Sequence, residues 1–182
     1  MYGLINNALH DMIVMHHDES TWKQIHEKSG VTEDVFLTMR RYDDESTYLL
    51  VGAASEVLGA PVEDCLVMFG KHWVAEVATK NFETLMDTTG TSTVTFLQNL
   101  NALHDRITST FLDYIPPQFQ VEELGEDRYR VDYYSQRKSL TPFVTGLLQG
   151  LAEHYGDELN MISLTTEDDG EGTHSVYELK IQ

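Results

Sequence analysis

Cysteine and positive charge are both scarce in this chain. Cys65 is its only cysteine, so no internal disulfide can form, and no CxxC pair or zinc ribbon exists. A lone thiol fits a reducing compartment. Twelve Lys and Arg stand against thirty Asp and Glu, a formal charge of −18. Nucleic acid and anionic membranes both have to be met with positive charge, so neither is expected as a partner. No apolar run approaches the roughly 18–20 residues of a membrane span. The opening MYGLINNALHDMIVMHH has no basic n-region and no small-residue cleavage site, so it is not a signal peptide. The location expected from this is the cytoplasm. Enzyme signatures are missing as well: there is no G-x-S-x-G, no phosphate-binding glycine loop and no HExxH.

At 41% apolar the chain can bury a sizeable core. Its first two thirds read helical. Ile5, Ala8, Leu9, Met12 and Met15 recur at helical spacing. ESTWKQIHEKSG is a short helix closed by Gly30. DDESTYLLVGAASEVLGA begins with acids that suit a helix N-terminus and ends at Leu58-Gly59. Pro61 opens the next helix at its first position, and that helix runs on through EDCLVMFGKHWVAEVA. A longer helix is expected from about Ser92 to Leu112. After Pro116-Pro117 the period changes. QFQVEEL and DRYRVDYYS alternate like strands around a Gly125 turn. TPFVTGLLQGLAEHYGD is a helix, and LNMISLTTE and HSVYELKIQ are strands around the turn-rich DDGEG. The expected class is α+β: a helical N-terminal part and an antiparallel C-terminal sheet carrying one helix. One domain over 1–182 is expected, divided at about residue 60.

On the long helix Leu97, Leu100, His104, Ile107 and Phe111 form one inward stripe. A histidine in such a stripe is either a hydrogen-bonded core residue or a ligand. Helical spacing from His104 supplies no companion ligands, so a bare zinc or copper site is disfavoured. A metal already held in a macrocycle needs only one axial imidazole. In YRVDYYSQR, period-two geometry puts Tyr133, Ser135 and Arg137 on one strand face. They form a row of hydrogen-bond donors, and the Arg fork suits a carboxylate; the plain alternative is an exposed strand edge. His16, His17, Asp18 and Glu19 are adjacent on a helix end and diverge, and the remaining histidines show no ligand spacing.

MYGLINNALHDM, the LHDRI histidine, the Pro-Pro pair, Y-x-S-x-R and GLLQGL together resemble the haem-nitric oxide/oxygen binding (H-NOX) family, in its bacterial stand-alone sensor form. The resemblance implies a non-catalytic sensor with one haem b buried between a distal helical part (about 1–60) and a helix-plus-sheet part (about 61–182). It implies His104 as axial iron ligand, Tyr133, Ser135 and Arg137 as partners of the haem propionates, and Pro117 as a porphyrin contact. Ile5, Leu9, Trp73, Phe143 and Leu147 should line the distal pocket. Oxygen-binding relatives carry a tyrosine near the position of Phe143, so binding of NO and CO with little stable O2 is expected, Trp73 being the one distal N–H donor. NO should release His104 and let the two parts shift. Some relatives hold zinc with cysteines near His174; without them no zinc is expected here. The chain ends at Gln182 just after the last strand, so signalling should pass to a separate histidine kinase or a diguanylate cyclase/phosphodiesterase. The alternatives are an oxygen- or redox-responsive haem sensor and a haem-free module for a small ligand.

Overall fold

The computed structural model describes residues 1–109, 114–168, 170 and 172–182. Three helices open the chain: α1 (Gly3–His16), α2 (Glu19–Ser29) and α3 (Asp44–Leu58). Their ends follow local chemistry. The Asp18 carboxylate accepts the Thr21 N–H at 2.7 Å and caps α2. Gly30 and Gly59 close α2 and α3 at φ of 70° and 66°, the left-handed region open to glycine. Pro61 sits one position earlier than the sequence indicates, at the N-cap of α4 (Val62–His72).

The helix expected to continue past His72 does not. Trp73–Ala78 forms a π-helical turn, followed by the short α5 (Thr79–Asn81) and by α6 (Glu83–Thr89), which periodicity did not reveal. No Pro or Gly lies within the π-turn, so no local breaker explains it. Within the turn Val74 lies against Gly150, where an added Cβ would come within 3.0 Å of its own. Such turns recur at functional sites.

The long helix α7 (Thr93–Thr108) starts from a capping box between Ser92 and Thr95. Residues 110–113, which include Phe111 of the stripe and the expected helix end at Leu112, lie outside the described residues, as do Asp169 and Glu171 of the DDGEG turn. Then come β1 (Gln118–Gly125), β2 (Arg128–Ser135), α8 (Thr141–Tyr155), β3 (Leu159–Asp168) and β4 (Thr173–Ile181). The strands form one antiparallel sheet in the order β1-β2-β4-β3, with Tyr133 paired to Phe119 on one side and Ser175 on the other. The fold is the α+β class expected.

Two apolar clusters organise the interior. One gathers α1, α2, α3 and α4 around Leu9, Met12, Ile13, Ile25 and Leu50. The other gathers α7, α8 and the sheet around Leu97, Val131, Leu148, Tyr177 and Leu179. They meet where α4 crosses α8 backbone to backbone. A Cβ on Gly146 would fall 2.1 Å from the Val67 carbonyl oxygen, and one on Gly70 would fall 2.2 Å from that of Phe143. Only glycine permits this approach. It brings Phe143 and Leu147 of α8 to face Phe69 and Trp73.

Candidate functional site

A cavity of about 570 Å³ opens between the two clusters, within the ~300–1,000 Å³ range of small-molecule and cofactor sites. Its walls are apolar, built from Ile5 of α1, Phe69 of α4, Leu97, Leu100 and Ile107 of α7, Phe119 of β1, and Phe143, Leu147 and Leu148 of α8. Polar side chains also line it, among them Tyr48, Tyr114, Tyr133, Ser135 and Arg137.

His104 is the only histidine on the cavity wall among the described residues. Its ring lies edge-on to Tyr114, with centroids 6.2 Å apart, and tilted against Phe119 at the same distance. Its Nδ1 is buried and, among the described residues, no well-formed hydrogen bond satisfies it, the Pro117 backbone being the one polar group that bears on the ring. A buried polar atom left unpaired costs free energy, and each such atom needs an explanation. Burial pushes the His104 imidazole below its ordinary value, opposed in part by the Pro117 backbone and Asp105. The ring is therefore neutral at pH 7, the form that binds a metal. Among the described residues no three His, Cys, Asp or Glu side chains come together to hold a bare ion. The donor set thus fits a group that brings its own equatorial ligands and takes one imidazole from the protein.

The donor row is present, but its geometry corrects the sequence reading. β2 ends at Ser135, the last residue of its ladder with β4, so Arg137 is not on the strand. The Ser135 hydroxyl accepts the Arg137 N–H at 3.0 Å, a side-chain-to-backbone turn that curls the chain off the sheet. Arg137 still reaches the cavity. Its Nε donates to Asp44 Oδ2 at 2.8 Å and its Nη1 to the Ile115 carbonyl at 3.1 Å. Tyr133 is 2% exposed, and burial raises its phenol, which stays an O–H donor at neutral pH. Asp44 also receives the Met1 ammonium, which donates in addition to the Tyr42 carbonyl at 2.6 Å.

Of the other expected site residues, Pro117, Ile5, Trp73, Phe143 and Leu147 all line the cavity. Leu9 does not. It is 1% exposed and belongs to the N-terminal cluster with Ala8, Met12 and Ile13. Four helical residues rise by about 6 Å, enough to carry Leu9 past the cavity that Ile5 reaches. His174 stands on the sheet away from the cavity, bonded through Nε2 to Asp132 at 2.8 Å and stacked on Tyr134 at 4.2 Å. Sequence reasoning missed Asp44, Tyr48 and Tyr114. Asp44 read only as a helix-start acid, and no spacing rule links it to Arg137, 93 residues away.

Residues 2–163 match a sequence family described as Haem-NO-binding. Among curated proteins, the soluble guanylate cyclase gcy-31 of Caenorhabditis elegans is 27% identical over 153 residues, which is 84% of this chain and 22% of that protein. The chain thus spans under a quarter of that relative's length. An H-NOX protein from S. oneidensis in the Fe(II)NO ligation state superposes with a TM-score of 0.84 at 19% identity, covering 100% of this chain and 99% of that one. An oxygen-binding H-NOX domain in its oxygen complex gives a TM-score of 0.82 at 17% identity, covering 100% and 95%. Both likenesses concern the fold. The same fold accompanies NO in one and O2 in the other, so it does not choose the gas.

Proposed function

The chain belongs to the haem-NO-binding family of haem-based gas-sensor domains, and from that premise we propose that it binds haem b through His104 and senses NO, with CO as a second ligand. The observation that carries this reading is the buried, unsatisfied Nδ1 of His104 on an apolar wall, at a cavity that Tyr133, Ser135 and Arg137 also line as donors for carboxylate. When bound, ferrous haem supplies an open coordination position for a diatomic gas.

The chain's own residues do the rest. Tyr133, Ser135 and Arg137 would meet the propionate edge, and Pro117, with its rigid ring, would lie against the porphyrin. Phe119, Leu100 and Ile107 exclude water from the His104 side. Ile5, Phe143 and Leu147 form a distal wall without a hydroxyl. An O2 ligand gathers negative charge and needs a donor; NO and CO need it less. Trp73 also lines the cavity, and its indole N–H favours a second reading in which O2 is held as well. α7 is tied to the sheet beside His104: the Asn101 amide donates to the Phe119 carbonyl at 2.6 Å and accepts the Phe119 N–H at 3.0 Å. A displacement of His104 therefore reaches β1. The output is a shift of the helical part against the sheet, read by a separate partner, a histidine kinase or a diguanylate cyclase/phosphodiesterase. The whole of 1–182 acts as one haem-holding unit without catalysis of its own.

Absorption spectra of the hemin-loaded, reduced protein under argon, then air, then NO test the reading. A Soret band that shifts with NO and not with air is expected. A chain that stays colourless with excess hemin refutes haem binding. A persistent oxy spectrum in wild type that disappears in Trp73→Phe replaces NO selectivity with the O2 reading.

A further inference from the structure

Resting on the haem reading above, we propose that Arg41 is the second cation of the carboxylate subsite, holding one of the two propionates while Tyr133, Ser135 and Arg137 hold the other. Charge balance motivates it. Arg137 is the only cation of the donor row, and Asp44 already engages it at 2.8 Å. The Met1 ammonium on the same carboxylate restores one unit, so the three groups together carry a single positive charge. Two anionic tails need two.

Arg41 stands where the missing charge is required. It lines the main cavity, and it also lines an adjoining polar cleft whose other charged groups are Glu33, Arg40, Asp43 and Asp44. It therefore neighbours the carboxylate that holds Arg137. Its backbone is fixed by a bridge to Tyr2, with the Tyr42 N–H donating to the Met1 carbonyl at 2.8 Å. Among the described residues its guanidinium has no hydrogen bond or ion pair. The adjacent Arg40 is occupied differently, lying over the Tyr42 ring 5.3 Å from its centroid. Arg106 also reaches the cavity, but from α7, two residues after His104 and apart from the Asp44 cleft. A free arginine beside a cofactor mouth is suited to a carboxylate, which it binds in a fork.

The test follows haem loss to excess apomyoglobin from the full chain, loaded either with hemin or with hemin dimethyl ester, whose tails are neutral. Arg41→Gln should speed loss of free-acid hemin by about threefold to tenfold, a charge-assisted contact reduced by solvent screening. It should leave loss of the ester unchanged. Arg41→Lys should fall between, and any effect of Arg106→Gln should be the same for acid and ester. Equal acceleration for acid and ester assigns Arg41 a merely structural role and overturns the proposal. So does an unchanged acid rate, or acceleration by Arg106→Gln in place of Arg41→Gln. Wild type that takes up no hemin fails at the haem reading itself, an outcome distinct from wild type that binds while Arg41→Gln is indistinguishable from it.

Discussion

The Arg137 guanidinium donates to the Asp44 carboxylate at 2.8 Å, joining the turn after β2 to the first turn of α3 across 93 residues. Burial acts to raise the Asp44 carboxyl, but the Met1 ammonium and Arg137 outweigh it and hold the group below its ordinary 3.8. A depressed carboxyl stabilises the fold fully above its unfolded value, and that contribution fades as pH falls through the lower folded value. Asp44→Asn should therefore destabilise the haem-free protein by about 1 kcal/mol at pH 7, discounted because the side chain is about a third exposed. The gap between the two urea midpoints should narrow as pH is taken from 7 to below 3.8. A gap of the same size at both pH values would show that Asp44 acts through something other than its charge.

His104→Gly should leave a cavity that takes up hemin only when imidazole is added. Titrating imidazole while following the Soret band checks this. Unaided uptake with an unaltered spectrum would remove His104 as the ligand.

His72 is 5% exposed, and its Nε2 also lacks a partner among the described residues. Burial lowers its imidazole; Glu76 and Asp11 oppose that shift, while His16 and Lys80 add to it. His104 is lowered by burial too. The unfolded chain takes up these protons at a higher pH than the fold does, so stability should fall as pH drops below the ordinary imidazole value of 6.5. Melting of the haem-free protein between pH 7 and 5.5 should show this slope, and His72→Met should flatten part of it. Its stability at pH 7 should stay within about 1 kcal/mol of wild type, because the change also removes an unsatisfied buried atom. An equal slope in both proteins counts against His72.

Asn101→Ala breaks both hydrogen bonds between α7 and β1 and leaves the Phe119 N–H without its partner. A loss of about 1–3 kcal/mol is expected from urea unfolding. A change below a few tenths would mean that the clamp is not closed in solution.

Much of the site was legible because it is local. A helix turns by a fixed angle per residue, so placing His104 in line with Leu97, Leu100 and Ile107 needed only the sequence, and all four line the cavity. Strand alternation likewise put Tyr133 and Ser135 on one face, and glycines after Ser29 and Leu58 marked real helix ends. Alternation failed at Arg137, because the Ser135 hydroxyl turned the chain off the strand, and it gave no warning of the π-turn at Trp73.

What the sequence determined by itself was the kind of chemistry and its approximate place: one imidazole among apolar side chains, a row of donors downstream, and the order of helices and strands. The tertiary structure alone decided that Ile5 meets the cavity while Leu9 does not, that Asp44 engages Arg137, and that Arg41 lines the same cavity. The reason is range. Backbone periodicity is settled within a few residues, whereas these contacts depend on how α1, α3 and the sheet pack once Gly70 and Gly146 let α4 and α8 touch.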